Sequence, residues 1–251
     1  MEKQYNGFRM EEFDFCGRKG IIVFPKQADK GRNWILKTEY FDAFPNAEIS
    51  LLEKGYHLTF VSNKTRWCLD EDLEIKQGFV QYVKKQYHLA GKCVIVGMSC
   101  GGMIGVKYAA RYPEDVSVLY LDAPVMNLLS CPAGIGKGGD DMLKEFYQAT
   151  HVTLSELINY REHPVDFVPV LAENRIPVLL VCGDSDTVVP YEENGKQLYA
   201  YYQKHGGTIK LILKKGCGHH PHGLDNPGEI VAFIMSENER RQKGAAEERL
   251  N

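Results

Sequence analysis

At 251 residues, with 44% hydrophobic and 25% charged side chains, the chain has the composition of an ordinary globular protein, which excludes wholesale disorder, collagen-like repeats and low-complexity assembly. Thirty basic against 33 acidic side chains leave a net charge of −3, and no basic block or aromatic-interleaved basic stripe stands out, so no nucleic-acid partner is expected. No stretch approaches the roughly 18 apolar residues that span a bilayer, and residues 1–7 hold no apolar signal region. The expectation is a cytoplasmic protein without membrane contact. Seven cysteines (Cys16, Cys68, Cys93, Cys100, Cys131, Cys182, Cys217), odd in number and without CxxC spacing, read as reduced thiols.

In chain order, residues 8–15 and 20–24 read as two strands joined by the turn Cys16-Gly17-Arg18-Lys19, the second buried on both faces. Residues 35–54 are periodic at three and four and stop at Gly55, which predicts a helix, and 58–61 follow as a strand. A helix over 70–88, a buried strand at 94–96, a helix over 103–112 and a strand at 116–121 come next. Strands at 177–182 and 209–213, separated by a helix over about 191–205, and a last helix over about 227–239 complete the pattern. Short Val/Ile/Leu-rich strands alternating with helices indicate an α/β fold with a doubly wound, mainly parallel sheet, because parallel neighbours need crossover connections and are covered on both faces. One domain over 1–251 suffices. Its one long departure is 124–176, an insertion between two sheet strands that reads as a small lid, and from about 236 the chain becomes a charged tail.

The strongest chemical signal is Gly97-Met98-Ser99-Cys100-Gly101, placed after the strand at 94–96 and before a helix. A serine on a sharp strand-to-helix turn holds its hydroxyl clear of the sheet edge, small residues two positions away on either side let the chain make the turn, and the Cys100 N–H at the helix N-terminus faces any oxyanion formed there. As an alternative, Ser99 reads as a helix N-cap. Cys100 is a rival nucleophile, since a thiol at a helix N-terminus can be acidic. The register disfavours it, because centring on Cys100 would put Met98 where a small residue is needed.

At this point the chain resembles the α/β-hydrolase family, in which nucleophile, acid and histidine follow in that order. Gly183-Asp184-Ser185-Asp186-Thr187-Val188-Val189-Pro190 is similar to the family's acid turn and implies Asp186 as the acid, with Asp122 at the end of the strand 116–121 as the runner-up. Gly216-Cys217-Gly218-His219-His220-Pro221-His222 is similar to its histidine turn and implies His219, with His220 and His222 as alternatives. The resemblance, over about 8–236, implies an acyl-enzyme on Ser99, with His219 moving the proton and Asp186 fixing its tautomer. The second oxyanion donor is expected in the loop 25–34, where the family's His-Gly dipeptide is missing. Trp34 is there either a pocket wall or a core anchor.

Cys217, His219, His220 and His222 also invite a metal reading, the weaker one, since one tight turn rarely supplies a tetrahedral set and no H-E-x-x-H or CxxC partner occurs. The formal G-x-G-x-x-G at Gly134 to Gly139 follows no strand and reads as a hinge of the insertion, not as a dinucleotide site. No cofactor and no metal are therefore expected. The resulting expectation is a serine hydrolase acting on a small-molecule acyl substrate, most simply a carboxylic ester. A peptidase, a thioesterase or a non-catalytic small-molecule receptor on the same fold is the alternative. The sequence leaves the oligomeric state open.

Overall fold

The computed structural model describes residues 3–248, with side chains as far as Lys243. Nine strands form one sheet: β1 (Lys3–Tyr5), β2 (Phe8–Phe15), β3 (Arg18–Val23), β4 (Trp34–Lys37), β5 (His57–Val61), β6 (Cys93–Met98), β7 (Val116–Asp122), β8 (Val178–Gly183) and β9 (Ile209–Lys214). Their order is β1-β2-β3-β5-β4-β6-β7-β8-β9. The first three strands and β5 pair antiparallel, and from β5 to β9 every pairing is parallel. The helices are α1 (Asn46–Glu53), α2 (Asp70–Gln86), α3 (Cys100–Arg111), α4 (Leu143–Thr150), α5 (Leu154–Asn159), α6 (Val168–Glu173), α7 (Gly195–Lys204) and α8 (Gly228–Glu248).

Strand alternation divides the core between the two faces of the sheet. Trp34, Leu36, Cys93, Ile95, Leu119 and Leu121 point to the face covered by α2, α3, α6 and α7. Ile35, Val94, Val96, Val118 and Tyr120 point to the face covered by α1 and α8. Central strands buried on both sides carry continuous apolar runs, which is why the parallel sheet was legible as a series of Val/Ile/Leu stretches.

The predicted helix over 35–54 is corrected. Its first three residues belong to β4 in the centre of the sheet, and the helix begins only at Asn46, after Pro45. A four-residue strand buried on both faces carries no alternation of its own, so the short loop beyond it merged with α1 into one apparent helical period. Trp34 is a core anchor: it is fully buried and its Nε1–H donates to Ala90 O at 2.8 Å. The helix expected over 191–205 is split into a 3-10 turn, Tyr191–Glu193, and α7. At the chain end, α8 runs on to Glu248 through the charged tail, and 249–251 lie outside the described residues.

The insertion 124–176 carries α4, α5 and α6 and buries Met126, Leu128, Phe146, Leu157 and Leu171 in the core on the α3 side. Its glycine-rich stretch is tied down. Lys137 N–H donates to Glu193 Oε1 at 2.8 Å, and Ser130 Oγ donates to Glu193 Oε2 at 2.6 Å.

Candidate active site

The C-terminal ends of the parallel strands β4, β6, β7 and β8 meet at one edge, where ligands of open α/β sheets are bound. At the end of β6 the chain turns into α3 through Ser99, whose φ of 51° and ψ of −121° place a non-glycine residue in strained backbone space. Gly97 is required by close approach, because a Cβ there would lie 2.5 Å from Gly101 O. At Gly102, not singled out from the sequence, a Cβ would lie 2.5 Å from Pro124 Cβ, the point at which the insertion leaves β7. Cys100 is the first residue of α3, so its N–H has no acceptor within the helix. Ser99 occupies the N-cap position of α3, but its side chain makes no cap bond and is left to His219.

Ser99, His219 and Asp186 are brought together from 120 and 33 residues apart. Ser99 Oγ lies 3.0 Å from His219 Nε2, and His219 Nδ1 lies 2.8 Å from Asp186 Oδ2. A carboxylate accepts only, so the proton sits on Nδ1 and leaves the Nε2 lone pair facing Ser99. Asp186 is aimed by the turn after β8: its Oδ1 accepts the N–H groups of Val188 and Val189, both at 2.8 Å. Asp184 Oδ1 accepts Gly216 N–H at 2.7 Å and holds the histidine turn against β8.

Asp122, the runner-up acid, serves another histidine. His222 Nδ1 lies 2.6 Å from Asp122 Oδ1, and Gly223 N–H donates to Asp122 Oδ2 at 2.7 Å. Both side chains are buried. The structure thus holds two Asp–His pairs side by side, with the His219 and His222 ring centroids 4.9 Å apart. His220 is exposed, and its ring nitrogens with those of His219 and His222 form the group able to hold a metal among the described residues; Cys217 does not join it.

Cys100 is buried, and burial pushes its thiol up to about 11, against the opposing pull of Arg66. At neutral pH it is a protonated thiol inside the core.

A cavity of about 290 Å³ opens over Ser99, and Tyr40, Phe44, Arg66, Met142 and the three histidines line it. Lys37 at the end of β4 is fully buried against Glu48 of α1 and donates to Ala43 O at 3.4 Å, which fixes the segment carrying Tyr40 and Phe44. Burial holds the Tyr40 hydroxyl well above its ordinary range, and Arg66 works in the opposite sense. Arg66 Nε–H donates to Glu145 Oε1 of α4 at 2.9 Å, and a second, shorter contact joins Nη2 to Oε2. The same Glu145 Oε1 accepts Trp67 Nε1–H at 3.1 Å, so the insertion is fastened across the rim of the cavity.

The loop expected to carry the second oxyanion donor is elsewhere. Residues Lys26 to Lys30 line a separate groove of about 730 Å³ together with Asn6 and Glu53. What lies beside the Ser99 turn is the segment after β4: Thr38 Oγ1 donates to Gly101 O at 2.6 Å, and a Cβ on Gly101 would meet Glu39 Cβ at 3.1 Å. Taking 35–54 as one helix hid this segment, and Tyr40 and Arg66 carry no sequence signal of their own.

The model of the prolyl oligopeptidase family matches residues 71–237, from the start of α2 into α8. This chain belongs to the prolyl oligopeptidase family. Its fold is accordingly that of an α/β-hydrolase, and the matched residues include Ser99, Asp186 and His219. Among curated proteins it is similar to the acylamino-acid-releasing enzyme of Mus musculus, 26% identical over 146 residues, which is 57% of this chain and 20% of that protein. The chain therefore spans about a fifth of that relative's length. Among solved structures, the acylaminoacyl peptidase of Pyrococcus horikoshii superposes with a TM-score of 0.68 at 15% identity, over 93% of this chain and 42% of that one. A putative lipase of Acinetobacter baumannii superposes with a TM-score of 0.60 at 14% identity, over 93% of both chains. At such identities the superpositions speak for the fold alone. No helix among the described residues is long and apolar enough to cross a membrane.

Proposed function

We propose that this member of the prolyl oligopeptidase family is a serine hydrolase that forms an acyl-enzyme on Ser99. The observation that carries the reading is the unbroken line from Ser99 Oγ to His219 Nε2 at 3.0 Å and from His219 Nδ1 to Asp186 Oδ2 at 2.8 Å. In this reading Nε2 takes the hydroxyl proton as Oγ bonds to the substrate carbonyl carbon, and Asp186 stabilises the imidazolium. The carbonyl oxygen, now an anion, faces the Cys100 N–H and the positive end of α3. Collapse breaks the bond to the leaving group, which departs with the proton from Nε2. Water then repeats the sequence, and the carboxylic acid is released.

The substrate we favour is an amide, specifically an N-acylated amino acid or short peptide. Support comes from the family and from the 26% identity to an acylamino-acid-releasing enzyme. The carboxylic ester remains the second reading, since the same three groups cleave an ester with a better leaving group. A cytoplasmic setting is part of the proposal and accords with seven free thiols.

A panel of acetylated amino-acid p-nitroanilides, acetylated tripeptides and p-nitrophenyl esters tests the substrate. The proposal expects the acetylated amides to be turned over by wild type and not by Ser99→Ala. Turnover of esters alone would replace the amide reading by the ester one.

A further inference from the structure

The triad uses one of the three imidazoles in the turn after β9, and the other two are arranged with as much order. Each pair of the His219, His220 and His222 rings is separated by 4.9 Å between centroids, and one ligating nitrogen from each lies within 4.8 Å of the others. Two of the rings are oriented by carboxylates at Nδ1, His219 by Asp186 at 2.8 Å and His222 by Asp122 at 2.6 Å. Asp122 is itself held by Gly223 N–H at 2.7 Å and by the Tyr120 hydroxyl at 3.4 Å. Both carboxylates fix the proton on Nδ1 and leave a lone pair on Nε2, which is how metal-ligating histidines are prepared. The triad gives no reason for a buried His222–Asp122 pair on the wall of the Ser99 cavity.

We propose that His219, His220 and His222 bind a zinc-class divalent cation, and that its occupancy silences the Ser99 centre by taking the Nε2 lone pair of His219. Three neutral imidazoles suit Zn²⁺ or Co²⁺, whereas Mg²⁺ and Ca²⁺ require oxygen ligands. Zinc–nitrogen bonds of about 2.0 Å in a tetrahedron place the nitrogens about 3.3 Å apart, so the rings must draw in from their present spacing. His220 can supply the movement, because it is exposed and stacks only loosely on Phe44, at 5.6 Å between centroids. The other two rings stay oriented by their Nδ1 bonds to Asp186 and Asp122. With Nε2 bonded to the metal no base remains to take the Ser99 proton, and the hydroxyl stays neutral. Chelation returns the lone pair. The silencing rests on the function proposed above, whereas the binding does not.

The test uses tag-free, full-length protein and two readouts. Co²⁺ is titrated into wild type and Ser99→Ala, following the visible absorption of tetrahedral cobalt, with Zn²⁺ as competitor. One equivalent is expected in both. Asp122→Asn should weaken binding by about 10- to 100-fold through loss of the orienting carboxylate. His220→Ala, a change at an exposed position that does not threaten folding, should weaken it at least about tenfold. Separately, each variant's hydrolysis is compared with itself at rising Zn²⁺. Wild type should lose activity at one bound equivalent and regain it with a chelator, and half-inhibition should shift at least about tenfold in His220→Ala. Absence of stoichiometric binding, or binding unchanged in both His220→Ala and Asp122→Asn, would overturn the site. Stoichiometric binding that leaves turnover unaffected would overturn the silencing. A protein that binds one cobalt yet hydrolyses nothing would uphold the site and remove the proposed function instead.

Discussion

Ser99 and Cys100 are neighbours with opposite surroundings, and the difference decides between them. Cys100 is the more nucleophilic atom type, but its thiol is buried and pushed up to about 11, so almost none of it is thiolate at neutral pH. Ser99 faces the cavity with a base 3.0 Å away. Ser99→Ala should lower turnover by about 10⁴- to 10⁶-fold, and Cys100→Ala should keep most of the activity because its backbone N–H survives. Steady-state kinetics on the folded variants checks both, and an inactive Cys100→Ala would exchange the roles. Lys76 offers a second residue-scale test, since it is fully buried, donates to Val61 O at 3.2 Å, and is pushed down to about 8 by burial. The unfolded chain holds this proton up to about pH 10.4. Between about pH 8 and 10.4 the unfolded state therefore binds the extra proton, and this group's contribution to stability rises with pH. Lys76→Met should be the more stable protein at pH 7, by up to about 3 kcal/mol, and should lose that advantage by pH 10. Urea unfolding of both proteins at the two pH values measures it, and the difference between them cancels the tyrosines that also titrate there.

At the scale of elements, the packing of α3 against the start of the insertion depends on glycine. An alanine at 102 would set its Cβ 2.5 Å from Pro124 Cβ, where neither backbone can easily withdraw. Gly102→Ala should destabilise by about 1–3 kcal/mol, read as a lowered midpoint in thermal denaturation. The insertion itself was legible as a long break in the strand pattern, whereas its glycine-rich stretch, expected to be a hinge, is tied to Glu193 through the Lys137 N–H. What the sequence did not reveal is the pair of clamps on it, Glu193 against Ser130 and Lys137, and Glu145 against Arg66 and Trp67. These join residues 56 to 79 positions apart, and long-range polar pairing leaves no local periodicity to read. We propose that the insertion acts as a lid over the cavity and that the Arg66–Glu145 clamp sets how readily it opens. Glu145→Ala should then speed limited proteolysis near 134–139 and near α4, and a bulky covalent inhibitor on Ser99 should slow it. Cleavage that begins outside 124–176 and ignores the inhibitor would count against a lid.

Across the whole molecule, the alternation of apolar runs and helical periods was enough for the doubly wound sheet, because parallel strands covered on both faces must be apolar throughout. Gly97, Ser99, Asp186 and His219 were legible because each sits on a turn whose local spacing is tied to a strand end. β4 was misread, since four fully buried residues look alike in a strand and in a helix, and with it went the segment that faces the Ser99 turn. The pairing of Asp122 with His222 joins residues 100 apart and emerged only from the fold. The central claim is that this arrangement makes Ser99 a nucleophile, not merely a hydroxyl at a turn. The most direct measurement is labelling of the folded protein by a fluorophosphonate, with the modified residue located by mass spectrometry. Stoichiometric modification of Ser99, lost in His219→Ala, is the predicted result. Label on Cys100 or another residue, or a Ser99 that reacts equally well without His219, would contradict it.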